Sequence, residues 1–428
     1  MMQIIKYPKR GNWEKLAQRP VIDSSTLEKS VENILNKIKK QGDKALIKYT
    51  RKFDGVKLKN LLVTEEEILL AGKGLLPELK KAIDQAKQNI EMFHKAQVEE
   101  INIIETMPGV KCWRSSVGIE KVGLYIPGGT AALFSTVLML AIPAKIAGCK
   151  EIVLCTPPQK DGTVHPAILY AANICGIKNV FKAGGSQAIG AMAYGTESIP
   201  KVFKIFGPGN QYVTTAKQLV QLQGTAIDMP AGPSEVLIIA DDSSVPAFVA
   251  ADLLSQAEHG PDSQVILLTT NETIAFNVQK CIKEQLEELP RNKIAEAALT
   301  NSKIILMKDL DEAIEFSNKY APEHLILAIG QAEKYIHEII SAGSVFIGNY
   351  SPESAGDYAS GTNHTLPTNG YAAMYSGLSV DSFVKKITFQ QLTKEGLGNI
   401  SSTVMQMAEG EGLYAHMRAV EIRLNYLS

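Results

Sequence analysis

The 428-residue sequence lacks the features that mark several common classes of protein. Its basic and acidic residues nearly balance, at 44 against 45, so no overall field favours nucleic acid or an anionic membrane. No apolar run approaches the roughly 18 residues that a membrane helix needs. The opening MMQIIKYPKRGNWEKL has neither the apolar core nor the cleavage site of a signal peptide. We therefore expect a cytoplasmic protein that acts on a small molecule.

Cysteine is scarce and is not arranged as a binding site. The five cysteines are scattered without CxxC spacing, which argues against a disulfide framework and against a thiolate zinc site. We expect reduced, mostly packed thiols at Cys112, Cys149, Cys155, Cys175 and Cys281.

Hydrophobic patterning predicts the fold class. Residues 25–52 and 78–98 have helical apolar spacing, and from Val122 to residue 348 short apolar runs alternate with helical segments in two series. Such alternation is typical of right-handed βαβ units and parallel sheets covered by helices on both faces. We predict an α/β fold with two doubly wound, Rossmann-like parallel-sheet domains and helical N-terminal and C-terminal extensions.

The same patterns suggest domain limits. We expect an N-terminal extension over 1–22, a first, discontinuous α/β domain over 23–121 and 235–378, a second over 122–234, and a helical tail over 379–428. The segment DMPAGPSE, residues 228–235, would cross between the domains. The ligand cleft should lie between them, because loops at the carboxyl ends of parallel strands line such clefts. A tail so short should dock on its own body or on a partner subunit.

Few histidines are available for chemistry. His94, His165 and His337 are expected at the surface. In LLSQAEHGP, Gln256 and His259 lie three residues apart, so their side chains share one face of a helix. The histidine could simply cap the last carbonyls. Alternatively the pair could bind a metal ion, since zinc accepts imidazole readily, although an amide ligand is unusual.

A long polar segment, SPESAGDYASGTNHTLPT over residues 351–368, is a second candidate. Loops of this length without regular structure are usually functional or disordered, and the segment has little of the charge that accompanies disorder. Asp357 could supply a carboxylate ligand, and His364 a polar contact or a group that orients a ligand.

YAPEHLIL places Glu323 and His324 between a helix and an apolar strand. The pair could be structural, with the acid capping and the imidazole packing. Adjacent acid and base groups could instead divide labour, the carboxylate polarising water and the imidazole taking a proton from an alcohol.

In the tail, Glu411 and His416 would by themselves suggest a solvated helix start. A docked tail, however, could bring His416 as a further imidazole ligand to Gln256, His259 and Asp357. If the tail came from a second subunit, the metal site would be shared.

Three glycine clusters each follow a predicted strand and open a helix, where backbone N–H groups can approach a phosphate. They are YIPGGTAALFST (125–136), AGGSQAIGAMAYG (183–195) and FGPGNQYVT (206–214). None fits GxGxxG followed by an acidic residue at the expected distance. A phosphate-bearing ligand is plausible, but a standard NAD pose does not follow.

Taken together, these segments resemble the histidinol dehydrogenases over essentially the whole chain. GLYIPGG, GPGN, DMPAGPSEV, LLSQAEHGPDSQV, PEHL and the 351–368 segment occur in that family's order. The resemblance implies a homodimer that oxidises L-histidinol through the aldehyde to L-histidine, with two NAD and one zinc ion per active site.

The resemblance also implies roles for individual residues. The implied zinc ligands are Gln256, His259, Asp357 and His416, with Glu323 and His324 as the acid/base pair. Substrate contacts are implied for Ser234, Gln256, His259, His324, Asp357, His364, Glu411 and His416, and NAD contacts for Tyr125, Gln187 and Asn210. In the family the tail residues reach the neighbouring subunit's site.

Two other classes of protein are compatible with parts of the sequence. A zinc hydrolase could use Glu323 to activate water, but HExxH is absent and the glycine clusters would have no use. A two-domain binding protein would leave the Glu-His pair without a function.

For the second oxidation, Cys149 and Cys155 have no obvious activating base, so water activated by Glu323 is the better nucleophile.

Overall fold

A computed structural model gives the fold and describes residues 2–20, 25–128, 132–230 and 232–427. Residues 129–131 of the first glycine cluster and residue 231 of the crossover lie outside the described residues. The strands are β1 Gln3–Lys6, β2 Ile103–Met107, β3 Val110–Gly118, β4 Lys121–Tyr125, β5 Glu151–Thr156, β6 Asn179–Lys182, β7 Lys204–Phe206, β8 Ala226–Ile227, β9 Glu235–Ala240, β10 Gln264–Thr269, β11 Lys303–Leu306, β12 His324–Ala328, β13 Ser344–Ile347 and β14 Val384–Leu392.

The α-helices are α1 Trp13–Leu16, α2 Ser25–Phe53, α3 Glu65–Leu70, α4 Pro77–Lys95, α5 Phe134–Ile146, α6 Pro166–Ile174, α7 Gly185–Tyr194, α8 Gln211–Gln221, α9 Pro246–Ala257, α10 Glu272–Glu288, α11 Asn292–Thr300, α12 Leu310–Tyr320, α13 Glu353–Tyr358, α14 Lys394–Gly410 and α15 Tyr414–Leu427. Short 3₁₀ helices cover Arg10–Asn12, Ala71–Gly74, Ala332–Glu338, Tyr371–Ala373 and Val380–Phe383. Helix α2 is broken at Gly42, whose φ of 52° lies in the left-handed region.

Two parallel sheets confirm the predicted fold class. One has the order β1-β11-β10-β9-β12-β13 and the other β6-β5-β4-β7-β8. Apart from β1, which lies at the edge of the first sheet, the chain in each sheet starts at a central strand, β9 or β4, winds outward on one side and returns to wind outward on the other. This is the doubly wound arrangement, and its strands are buried on both faces, which explains their continuous apolar runs.

Residues 25–95 pack on a different sheet from the one predicted. Helix α2 lies on α7 and α8, and α4 on α5, and their apolar residues join the two cores of the β4–β8 sheet. Residues 25–95 thus cover the sheet of 122–234, not that of 235–378. Strand β1, from the expected extension, pairs with β11 in the other sheet. An apolar stripe predicts that a helix is buried, but not against which sheet.

A third sheet was not predicted. Strand β14 pairs with β3 in antiparallel fashion, and β3 with β2. The expectation of a helical chain beyond residue 379 is therefore wrong over β14, although α14 and α15 follow it. Many of the side chains in β2 and β14 are exposed, so these strands lack the apolar alternation that identifies a half-buried strand.

The predictions about thiols are confirmed. All five cysteines are free, and Cys149, Cys155 and Cys175 are buried. In the described part of the chain, no helix is both long and apolar enough to cross a bilayer.

His94 is buried, contrary to the expected surface position. Its Nδ1–H donates to the carbonyl oxygen of Ile90 at 2.8 Å, and its Nε2 lies 3.4 Å from the Asn363 amide nitrogen. These contacts suit a neutral imidazole, and burial lowers the pKa of His94. Helix α4 is thereby linked to the polar 351–368 segment.

We expect this buried imidazole to make folding pH-dependent. Because the pKa of His94 is lowered in the folded state, its contribution to stability is present above about pH 6.5, the ordinary histidine pKa, and is lost as the pH falls below that value. Urea unfolding at about pH 8 and about pH 5.5 should therefore show a smaller loss of stability in His94→Gln than in the wild type. His337→Gln, at an exposed position, is the control. An equal loss in His94→Gln and wild type would contradict the assignment.

Candidate functional site

The predicted acid/base pair lies at the amino ends of two adjacent central strands. His324 is the first residue of β12 and is paired with Val236 of β9, while Glu323 precedes it. Ser234, half-buried, precedes β9. Helix α9 leads from the carboxyl end of β9 back to the amino end of β10, so its last turn, with Gln256, lies at the same edge. In this sheet the site is therefore at the amino edge, not at the expected carboxyl edge.

The main chain of Glu235, at the start of β9, holds three of these side chains. Its N–H donates to Glu323 Oε2 at 2.9 Å. Its carbonyl oxygen accepts from Gln256 Nε2 at 3.2 Å and from His324 Nδ1 at 3.1 Å. The acid, the base and a predicted metal ligand are thus fixed to one backbone position.

These contacts determine which atoms of Gln256 and His324 stay available. The amide nitrogen of Gln256 faces two acceptors, the Glu235 carbonyl and Glu323 Oε2 at 3.4 Å, so its Oε1 points elsewhere and is buried without a hydrogen-bond partner. Nδ1 of His324 lies 3.1 Å from the same carbonyl oxygen and 3.0 Å from Gln256 Nε2. In the tautomer that carries its proton on Nδ1 and donates it to the carbonyl, Nε2 is the basic nitrogen. That Nε2 lies 3.5 Å from Asp357 Oδ1 and has no hydrogen bond.

The electrostatics of the pair suit proton transfer. Burial raises the pKa of Glu323, more than the nearby His324 lowers it. Burial opposes protonation of His324, but the carboxylates of Glu323, Asp357 and Glu353 outweigh it and raise the pKa of that imidazole. A carboxylic acid that holds its proton more firmly than usual, next to an imidazole that is more basic than usual, is an arrangement found in general acid/base catalysis.

Asp357 interacts with three histidines of the site. It lies on α13, a short helix inside the segment that was expected to lack regular structure. Burial raises its pKa, but the interaction with His324 and the electrostatic effects of His364 and His259 outweigh burial, so the pKa is lowered. An ionised carboxylate at this position can serve as a metal ligand.

His259 and His364 take different positions around Asp357. Helix α9 ends at Ala257, so the exposed His259 follows the helix in a turn, and its ring forms no hydrogen bond that would cap α9. His364 donates from Nδ1 to the Asp357 carbonyl at 2.9 Å, and its Nε2 lies 3.2 Å from Thr136 Oγ1 of α5. His364 therefore joins the polar segment to the domain of the other sheet.

The tail residues are not brought to this site within one protomer. Glu411 and His416 are both exposed, near the junction of α14 and α15, and neither side chain forms a hydrogen bond or an ion pair with a described residue. Within the described ranges, no three His, Cys, Asp or Glu side chains are placed to hold a metal ion.

The residues nevertheless fit part of a cation site. Gln256 offers a buried, unpartnered amide oxygen, Asp357 an ionised carboxylate and His259 an imidazole. Oxygen and imidazole donors suit zinc, which in catalytic sites commonly takes three protein ligands and keeps an open position. A fourth protein ligand would have to come from outside the protomer.

A second cleft, of about 1030 Å³, lies at the carboxyl edge of the β4–β8 sheet. The predicted NAD contacts Tyr125, Gln187 and Asn210 all line it. Tyr125 Oη accepts the Gly185 N–H at 2.9 Å, and the Asn210 side chain caps α8. A side chain at Gly207, φ 123°, would lie 2.1 Å from the Tyr125 carbonyl oxygen, so the GPGN turn requires glycine there.

Several residues of these sites were missed by the sequence analysis. Asp54, at the end of α2, lines the cleft with a buried, unpartnered Oδ2. Glu353 is buried and accepts from Ser255 Oγ at 2.7 Å. Glu235 lies in the DMPAGPSE segment, and the signal that could have identified it is a carboxylate at the start of a predicted strand. Asp54 and Glu353 occur in sequence patterns that are common around surface acids, so no local pattern identifies them.

The chain is similar to known proteins over its whole length. Residues 17–424 match the protein family described as histidinol dehydrogenase. The histidinol dehydrogenase of Bacteroides thetaiotaomicron is 59% identical over 427 residues, 100% of both chains, and that of Escherichia coli K12 is 53% identical over 416 residues, 96% of this chain and 95% of that one. The crystal structure of histidinol dehydrogenase from Elizabethkingia anophelis, 59% identical, superposes with a TM-score of 0.98 and covers 100% of this chain and 98% of that chain.

Proposed function

The chain belongs to the histidinol dehydrogenase family, an oxidoreductase family of histidine biosynthesis, and we propose that it oxidises L-histidinol through L-histidinaldehyde to L-histidine. The reaction removes four electrons and would use two NAD and one zinc ion per active site. The observation that carries the proposal is the attachment of Glu323, His324 and Gln256 to the single main-chain position of Glu235. The cytoplasmic location stays a prediction.

Gln256 Oε1, His259 and Asp357 would hold the zinc ion, together with His416 from a second copy of the chain. When bound, the ion would hold the substrate by its amine and imidazole nitrogens and so fix the orientation of its carbinol carbon. Ser234, His364 and Glu411 would add contacts to the substrate. The exposed position of the tail within one protomer supports a homodimer with shared sites, because the side chains of His416 and Glu411 have no partner among the described residues of their own chain.

For the first oxidation, His324 would act as the base. Its Nδ1–H is held by the Glu235 carbonyl, so the lone pair of Nε2 is free to accept the hydroxyl proton as the carbinol hydrogen leaves as hydride. Nearby Asp357 would stabilise the imidazolium that forms.

The second oxidation needs a tetrahedral species formed from the aldehyde. Glu323 would activate water for this step, and His324 would then remove a proton from the hydrate as the second hydride leaves. A cysteine nucleophile is disfavoured, because burial raises the pKa of Cys149 to about 11 and raises that of Cys155 as well. Neither thiol would be present as the reactive thiolate near neutral pH.

The cleft at the β4–β8 sheet would take NAD. The start of α7, which has no side-chain cap, could bind the pyrophosphate through N–H groups beyond Gly185, whereas at the start of α8 Asn210 already accepts the N–H groups of Tyr212 and Val213. Asp54 lines the same cleft, and its Oδ2 is buried without a hydrogen-bond partner. Its carboxylate would accept a hydrogen bond from a ribose hydroxyl. A carboxylate in this role favours NAD over NADP, because it repels a 2′-phosphate.

The reaction itself is tested by counting products. Zinc-loaded protein with L-histidinol and NAD should form two reduced nicotinamides for each histidine. Glu323→Gln should slow oxidation of the aldehyde by about 100-fold or more, and oxidation of the alcohol much less, since only the second step needs activated water. The exposed Glu333→Gln is the control. A ratio of one in the wild type would refute the four-electron reaction, and equal losses in the two steps would refute the role of Glu323.

Shared sites are tested by mixing two inactive variants. His259→Asn and His416→Asn should each lose zinc and activity. Subunits exchanged between them should recover up to roughly a quarter of the wild-type activity, because about half of the dimers are then mixed and each mixed dimer has one intact site of its two. Activity and bound zinc are measured after verified exchange. If exchanged dimers stay inactive and free of zinc, each site is built within one chain.

The role of Asp54 is tested by equilibrium binding of NAD and NADP. Asp54→Asn should weaken NAD binding by about tenfold, the loss of one charge-assisted hydrogen bond, and narrow the preference over NADP. Exposed Asp311→Asn is the matched control. An unchanged affinity for both dinucleotides in Asp54→Asn would rule out a ribose contact.

A further inference from the structure

The side chain of Arg19 connects the N-terminal arm, residues 2–20, to Glu235, whose main chain holds the acid/base pair. Its Nε and Nη2 bind the two carboxylate oxygens of Glu235, at 2.5 and 2.9 Å. Its guanidinium also lies 3.9 Å from the centre of the Tyr320 ring. Bidentate and stacked contacts of this kind require the planar fork of arginine.

The carboxylate of Glu235 is almost wholly buried, and both of its oxygens accept hydrogen bonds. Glu235 is 2% exposed, and its Oε1 also accepts the Asn369 N–H at 2.9 Å. Burial raises the pKa of Glu235, whereas Arg19 lowers it. Without the guanidinium, the carboxylate would be a buried charge without a cation, so the start of β9 depends on Arg19. That strand start is the backbone position that holds Glu323 and His324.

Arg19 also holds the turn on the other side of the pair. Its Nη2 donates to the Tyr320 carbonyl at 2.7 Å and lies 3.4 Å from the Ala321 carbonyl. Ala321 ends α12 with φ 51°, a left-handed conformation that is unfavourable for alanine. The next residues are Pro322, Glu323 and His324. One guanidinium therefore joins the turn before the acid/base pair to the strand that receives its hydrogen bonds.

We propose that Arg19 is a positioning residue for Glu323 and His324. It makes no hydrogen bond to either side chain and acts through Glu235 and the turn at Ala321. The inference rests on the proposed function, since it assumes that this pair performs the oxidation. Loss of Arg19 should lower kcat for both oxidations. Zinc content and KM for histidinol should change less, because Gln256 is the proposed zinc ligand that is bonded to Glu235, whereas His259 and Asp357 lie on elements that Arg19 does not contact.

The experiment uses the full-length, zinc-loaded protein with Arg19→Ala and Arg19→Lys. In Arg19→Ala, kcat should fall by about 10-fold to 100-fold, the range for a displaced catalytic group, with zinc content retained. Arg19→Lys keeps the positive charge but not the planar fork of the guanidinium, so its kcat should lie between those of the wild type and Arg19→Ala. Arg10→Ala, an exposed arginine of the same arm, is the control.

Chemical rescue distinguishes positioning from general destabilisation. Guanidinium at low millimolar concentration should restore part of kcat in Arg19→Ala, because it can occupy the space between Glu235 and Tyr320, whereas neutral urea should not. If Arg19→Ala does not fold, Arg19→Ala combined with Glu235→Gln removes the unpaired charge and should fold with low kcat. Wild-type kcat in either variant, or a loss that only follows thermal stability and ignores guanidinium, would overturn the proposal.

The two proposals fail in different ways. If the wild type does not form two reduced nicotinamides per histidine, the proposed function falls, and Arg19 is judged from a crystal structure of Arg19→Ala. Displacement of Glu323 and His324 relative to β9 in that structure would support positioning, and an unchanged pair would refute it.

Discussion

The hydrogen bonds of the Glu235 main chain are the interactions on which the candidate site depends. One N–H and one carbonyl at the start of a central strand fix a carboxylate, an imidazole and an amide. A strand paired on both sides and buried on both faces moves little, so these side chains are held more rigidly than loop residues would be. The orientation of Gln256 follows from the same contacts, and with it the free amide oxygen that a cation could use.

The two sheets contribute opposite edges to the chemistry. The β9–β13 sheet presents its amino edge, where the acid/base pair lies, and the β4–β8 sheet its carboxyl edge, where the large cleft lies. The chain between them runs through the DMPAGPSE segment. Contacts between the polar segment and the other domain, such as that of His364 with Thr136, tie the two regions together. We propose that a substrate held at one edge is reached by a dinucleotide bound at the other.

The sequence predicts local structure well and long-range packing poorly. Apolar runs and glycine or proline breaks placed most strands and helices of both sheets within a few residues, because those strands are buried on both faces. The packing of residues 25–95, the β2–β3–β14 sheet and the burial of His94 depend on partners that no local pattern identifies. The support from Glu235 was missed for the same reason, since the bond to Glu323 spans 88 residues. Roles for the metal and NAD residues came from resemblance and are still proposals.

We propose that Gln256 Oε1 and Asp357 hold a metal ion beside His324. Anomalous diffraction at the zinc absorption edge from crystals of the zinc-loaded protein tests it most directly. We expect one peak per site within about 2.0–2.3 Å of Gln256 Oε1, His259, Asp357 and His416 of a second copy. A peak bound by other residues, or a Gln256 oxygen turned away from it, would contradict the account.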